Sequence, residues 1–206
     1  MNQNDQKKLK TSETKRVNKI DKVAFYGGAD MENDNPVCQA AYEVAAYVAS
    51  LNKVVVNGGG PGVMGAASRG AKSQNGKTLA VTLNPVDMPE FEGRASDNIA
   101  DQEIKTPNYV ERMFTLMNNA DLFVCFQGGT GTLSEWATAW LLAHLRYGNH
   151  RPLILYGHFW HEVMDVIHKH FLIGHKESAV YRIVENLEEF KTAFHLFEDE
   201  INGRPE

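Results

Sequence analysis

The sequence predicts a three-layer α/β fold: a mostly parallel, doubly wound sheet with helices on both faces. Three observations carry this. Short apolar runs of strand length alternate with longer segments of helical period, glycine-rich turns stand at the junctions, and the alternation runs through most of the 206 residues without a repeat or a low-complexity linker. Strand, turn, helix, strand in that order is βαβ succession, which pairs strands in parallel.

Residues 1–22 carry seven Lys or Arg against three Asp or Glu and have little apolar material to bury. Residues 1–21 therefore read as a disordered basic tail, and 22–206 as a single Rossmann-like nucleotide-binding domain. "KVAFYGGA" (Lys22 to Ala29) is a buried strand stopped by paired glycines. From Pro36, "PVCQAAYEVAAYVASLN" has apolar residues at helical spacing, with proline suited to a first turn. "KVVVNGGGPGVMGAASRGAKSQNG" and "TLAVTL" follow as strand, glycine turn, helix and strand. The next twenty or so residues, "NPVDMPEFEGRASDNIADQE", show no period, and a loop of that length in a compact domain reads as a lid or an edge. "TPNYVERMFTLMNNA" is a helix opened by Thr106 and Pro107, "DLFVCF" a strand, "TLSEWATAWLLAHLRYG" a helix and "RPLILYG" a strand. "HFWHEVMDVIHKHFLIG" and "LEEFKTAFHLFEDEI" close the chain as helices.

Composition narrows the function classes. Apolar runs of about six to eight residues fall well short of the roughly 18 needed to cross a bilayer, so the expectation is a cytoplasmic protein without membrane contact. Beyond residue 22 the chain carries a net charge of −9, which disfavours nucleic acid as a partner, because phosphate binding needs clustered positive charge. The tail itself reads as a solvated arm, with recruitment of an acidic partner as the alternative. Cys38 and Cys125 form no CxxC pair and no disulfide framework, and Cys125 sits in an apolar strand as a packed thiol.

Two glycine turns stand where ligands bind in an open parallel sheet, beyond the carboxyl ends of strands. In the first, Gly60, Gly62 and Gly65 spell GxGxxG between a strand and a helix. A dinucleotide reading is disfavoured, since Asn84 ends the next strand where a ribose-binding acid is expected, and no GK[ST] completes a Walker loop. In the second, "FQGGTGTLSEW", Gly128, Gly129 and Gly131 let backbone amides converge on one oxyanion. Thr130 and Thr132 add hydroxyls, and a helix N-terminus adds its dipole. Thr132 and Glu135 are also spaced as a capping box, so Glu135 has two readings: helix cap or cleft carboxylate.

Together, "GGGPGVMGAASRGA" and "GGTGTLSE" resemble the Lonely Guy family, the cytokinin-activating phosphoribohydrolases and their bacterial relatives once labelled lysine decarboxylases. The resemblance runs from about Val23 to Phe194. It aligns Glu135 with the family's glutamate and Arg112, in "VERMFTLM", with the arginine that precedes the second turn. Gln127 replaces a proline of the pattern, Met113 a lysine, and Gly27 to Ala29 a more serine-rich turn. The resemblance implies homodimers and a substrate lying along Gly27, Gly59, Gly60, Gly62, Met64 and Gly128, Gly129, Thr130, Gly131 and Thr132. No cofactor and no metal are expected. No lysine stands beside either turn to form a pyridoxal Schiff base, which disfavours decarboxylation.

The expected reaction is hydrolysis of the N-glycosidic bond of a nucleoside 5'-monophosphate, purine or cytokinin, to free base and ribose 5-phosphate. Positive charge develops on the ribose in such a cleavage, which calls for a carboxylate beside the sugar, assigned to Glu135. Gly128 to Thr132 would hold the phosphate. Arg112, with its forked and permanent charge, would meet phosphate or leaving base; an ordinary ion pair with Glu111 is its alternative. The rival function is a non-catalytic carrier of a nucleotide or a molybdenum-cofactor-like ligand, and a third is a scaffold working through the tail. All eight histidines lie after residue 143, but no set such as HExxH appears, and most are expected to face solvent. Trp136 and Trp140, four apart, read as core or as a dimer face.

Overall fold

The structure, a computed structural model, describes residues 19–84, 88, 91 and 93–204. The tail assigned to 1–21 lies, up to residue 18, outside the described residues. Seven strands, β1 (Lys22–Tyr26), β2 (Val54–Asn57), β3 (Thr78–Leu83), β4 (Gln102–Thr106), β5 (Leu122–Cys125), β6 (Leu153–Tyr156) and β7 (Tyr181–Val184), form one sheet ordered β4-β3-β2-β1-β5-β6-β7. Every neighbouring pair is parallel, and β1 lies at the centre, with Val23 opposite Val55 on one side and Leu122 on the other. The chain winds outward from β1 first in one direction and then in the other. That reversal opens a crevice at the carboxyl ends of β1 and β5.

Helices α1 (Pro36–Ser50), α2 (Val63–Ser73) and α7 (Leu187–Asn202) cover one face; α3 (Tyr109–Asn118), α4 (Thr130–Leu145) and α5 (Phe159–His170) cover the other, and α6 (His175–Ser178) is a single turn. Side chains alternate across β1. Val23 and Phe25 join the core under α1, α2 and α7, whereas Ala24 and Tyr26 join the one under α3, α4 and α5. Burial on both faces explains why the inner strands are unbroken apolar runs in the sequence.

Helix starts follow local chemistry. Asn35 caps α1, its Oδ1 accepting from the Val37 N–H at 2.9 Å with Pro36 in the first turn. At α3 the cap is Asn108, one residue beyond the expected Thr106–Pro107. Its Oδ1 accepts from the Glu111 N–H at 2.9 Å and its amide donates back to Glu111 Oε1 at 3.0 Å, so Glu111 closes a capping pair instead of pairing with Arg112. Trp136 is 3% exposed and packs between Trp140 and Trp160 at ring-centroid distances of 5.3 and 4.8 Å, which makes the tryptophan stripe core. Among the described residues no helix is long and apolar enough to cross a membrane.

The sequence reading omits three elements. β4, "QEIKT", falls where a loop and helix start are expected, and β7, "YRIV", and α6 fall between the last two helices. Both strands are sheet edges, and β4 exposes Glu103 and Lys105. An edge strand wetted on one side loses the apolar run that marks a buried one, and its charges deter pairing with another sheet.

Candidate functional site

A cavity of about 550 Å³ lies beyond the carboxyl ends of β1, β2 and β5. Its floor is knitted by the backbone: the Phe126 N–H donates to Tyr26 O at 2.8 Å and the Gly28 N–H to Gln127 O at 3.0 Å, joining the loop after β1 to the turn after β5. From the front of this floor α4 begins at Thr130, with Gly129 as its cap and no side-chain hydrogen bond capping it. The amides of its first turn lack partners within the helix by geometry, and they open toward the cavity lined by Gly128, Gly129, Thr130, Gly131 and Thr132.

This start settles the two readings of Glu135. With Gly129 as cap, Thr132 already lies inside the helix and Glu135 sits in its second turn, too far along to close a capping box. Glu135 lines the cavity instead. It is 8% exposed, and its Oε1 stands 4.0 Å from Arg112 Nη1.

Arg112 is itself 3% exposed, on α3. Its Nε donates to Val81 O at 3.1 Å, on β3, and its Nη2 to Gly58 O at 3.2 Å, just past β2. The guanidinium carbon lies 5.3 Å from the Phe91 ring and 5.8 Å from the Tyr109 ring. A buried guanidinium is tolerated only when its donors are matched, and this fork is matched to two carbonyls and turned toward a carboxylate. Two of its donors thus serve the scaffold, which makes the side chain a fixed part of the cavity wall.

The first glycine turn supports the wall from behind. Asn57, at the end of β2, accepts from the Gly59 N–H at 2.8 Å and donates to Ser68 Oγ at 2.8 Å and Met64 O at 3.2 Å. Asn98, fully buried, donates to Gly60 O at 2.8 Å. Gly62 has φ +60°, and a Cβ there would strike the carbonyl oxygens of Gly28 and Ala29. Of the residues singled out by sequence, Gly27, Met64, Arg112, Gly128 to Thr132 and Glu135 line the cavity together, while Gly59, Gly60 and Gly62 are buried behind it. Gly58 takes the place expected of them.

Sequence reasoning missed Tyr26 and Tyr109, which also line the cavity. Tyr109 precedes Arg112 by one helical turn, a spacing that would have placed both on one face. Tyr26 is 2% exposed and its hydroxyl finds no hydrogen-bond partner among the described residues. Burial, and then the Glu135 carboxylate, push this phenol well above the usual tyrosine range. Burial likewise raises the Cys125 thiol, in keeping with a packed and unreactive side chain.

The model of the SLOG cluster4 family matches residues 21–176. An uncharacterized protein of Archaeoglobus fulgidus is 32% identical over 108 residues, 52% of this chain and 67% of that protein. A Mycobacterium marinum protein named cytokinin riboside 5'-monophosphate phosphoribohydrolase is 30% identical over 124 residues, 59% of this chain and 64% of its own, so just under two thirds of that relative is spanned. Among solved structures, the molybdenum cofactor binding protein from Rippkaea orientalis superimposes with a TM-score of 0.65 at 21% identity, covering 85% of this chain and 96% of that one. Such a likeness shows a shared fold.

Proposed function

The chain belongs to the SLOG cluster4 family, and from that premise we propose that its cavity binds a nucleoside 5'-monophosphate of purine or cytokinin type and hydrolyses the N-glycosidic bond. The observation that carries this reading is the position of Glu135: a nearly buried carboxylate, not used as a cap, in the same cavity as a helix start that no side chain caps. The name of the Mycobacterium marinum relative supports the substrate class.

In this mechanism the 5'-phosphate rests on the amides and hydroxyls of Gly128 to Thr132, which fixes the ribose beside Glu135. The bond from C1' to the base nitrogen lengthens and positive charge grows on the ribose. The Glu135 carboxylate stabilises that charge and orients the attacking water. Water supplies hydroxyl to C1', and the base leaves with the remaining proton. Arg112 is given a changed part. With Nε and Nη2 on backbone carbonyls and Nη1 facing Glu135, it positions the carboxylate more than it grips phosphate.

Purified protein incubated with AMP and related monophosphates is expected to release base and ribose 5-phosphate. Glu135→Gln is expected to lower kcat by at least about 10²-fold. Tight binding of a nucleotide or a pterin-like ligand with no product from any monophosphate would replace this reading with that of a carrier, the reading favoured by the likeness to a molybdenum cofactor binding protein. We propose in addition that two copies associate through α3 and α4, where Val110, Phe114, Leu141 and Leu145 are 57, 42, 55 and 66% exposed. Light scattering that returns a monomer mass would sink the second proposal alone.

A further inference from the structure

The histidine-rich end of the chain takes no part in the cavity described above, yet three of its groups converge. Gly157, with φ +119°, turns the chain out of β6, and α5 starts immediately with His158 at its cap and His161 one turn on. The i, i+3 spacing places both imidazoles on one side of the helix start. β7 runs parallel to β6 and ends one residue before Glu185, which brings that carboxylate to the same corner.

We infer that His158, His161 and Glu185 form a binding site for a borderline divalent cation of the zinc class, tying the start of α5 to the end of β7. Glu185 Oε1 lies 2.9 Å from His158 Nδ1 and 3.4 Å from His161 Nε2. All three ligand atoms fall within 4.8 Å of one another. Tetrahedral zinc with bonds near 2.0 to 2.2 Å needs ligand atoms roughly 3.3 to 3.5 Å apart. The His161–Glu185 edge already has the required length, and the His158–Glu185 edge, a hydrogen bond at 2.9 Å, needs to open by about 0.5 Å as an ion replaces its proton. The rings are splayed, with centroids 5.6 Å apart and planes 50° from each other, so their nitrogens can point at one centre.

Ligand chemistry selects the ion. Two imidazoles and one carboxylate suit zinc and its first-row neighbours, whereas magnesium and calcium require oxygen ligands. The backbone is braced to hold the set. The Glu185 N–H donates to Glu189 Oε2 at 2.8 Å and Trp160, between the two histidines, donates from Nε1 to Cys125 O at 2.9 Å. All three ligands are exposed, so the site is open to solvent, and a water is expected to complete the coordination.

The test uses the full chain with zinc chloride, against magnesium chloride, in calorimetric titration and thermal melts. Wild type should show one saturable zinc site and a Tm rise of roughly 5 °C or more at a hundredfold excess over Kd, with no response to magnesium. His158→Ala with His161→Ala should abolish both effects, and because both side chains are exposed this variant should retain its metal-free Tm. A control pair, His168→Ala with His170→Ala, should bind as wild type. Unchanged zinc binding in the first variant, its loss in the control pair, or no saturable binding in wild type would each overturn the assignment.

Discussion

In the turn after β2, a methyl group placed on Gly58, Gly59 or Gly62 runs into the protein itself: the Arg112 guanidinium, the Thr82 methyl group and the carbonyls of Gly28 and Ala29 respectively. In the turn after β5, Gly128 is likewise enclosed, by the Thr132 side chain and the Gly28 backbone, but a methyl group on Gly129 meets nothing within 4 Å among the described residues. Both turns stand at the same edge of the sheet and look alike in sequence. The first is glycine because neighbouring chain already fills the space. At Gly129 no protein atom imposes the choice, and the space left over faces the start of α4, where we place a phosphate. The contrast separates glycines fixed by packing, in the first turn and at Gly128, from the open Gly129 at the helix start, and substitutions can sharpen or break it.

The largest effect is expected at Gly62. A side chain there must adopt φ +60° and displace two carbonyls, so Gly62→Ala should cost about 3 kcal/mol or more and lower Tm by roughly 6 to 12 °C, read by thermal melts. A Tm near wild type would show that the first turn yields easily and would weaken the contrast. Gly58→Ala is intermediate, since its nearest obstacle is the end of a side chain. We expect a loss of about tenfold in kcat with KM nearly unchanged, because Arg112 shifts away from Glu135 while the phosphate turn stays intact. Gly129→Ala should leave Tm within about 2 °C and raise KM for a monophosphate several-fold by obstructing the anion. Equal KM in this variant would remove the phosphate from that turn.

The smallest effect lies away from both turns and tests the scaffold alone. His150 is 5% exposed, and burial, then the neighbouring Arg204 charge, lower its pKa from 6.5 to about 4. Its folded pKa is depressed, so the stability that accompanies the neutral ring is fully present above pH 6.5 and is lost as pH falls toward 4. Urea midpoints should decline across that window in wild type and decline less in His150→Gln. Equal decline in both would assign the pH dependence to other groups.

Much of the fold and part of the site could be read from residues alone. The inner strands β1, β2, β3, β5 and β6 are legible because burial on both faces demands continuous apolar runs. β4 and β7 are not, because an edge strand tolerates "QEIKT", and no period survives there to be seen. The second glycine turn and Glu135 stand close together in the order of the residues, so their sharing of one cavity was visible. The direction of Glu135 was not. It depends on whether α4 starts at Thr130 or Thr132, a difference of two residues set by where the chain leaves β5. Arg112 was found by resemblance, but its bonds to Val81 and Gly58 could not be read there, since they reflect packing between segments distant in sequence. Tyr26 was hidden for the opposite reason: on a central strand a buried tyrosine reads as core, and what sets it apart is a hydroxyl with no hydrogen-bond partner among the described residues.

Arg112 also bears on when the protein becomes competent. Its side chain is held by carbonyls at positions 58 and 81, carried by a helix at 112 and opposed by a carboxylate at 135, so four stretches of chain must arrive before the pair exists. During synthesis the last of these, Glu135, leaves the ribosome 77 residues after Gly58. A chain that ends before Glu135 can therefore hold the first glycine turn and Arg112 without the carboxylate that faces it. The pair is therefore a late product of chain synthesis, although its arginine is placed by the earlier half of the fold.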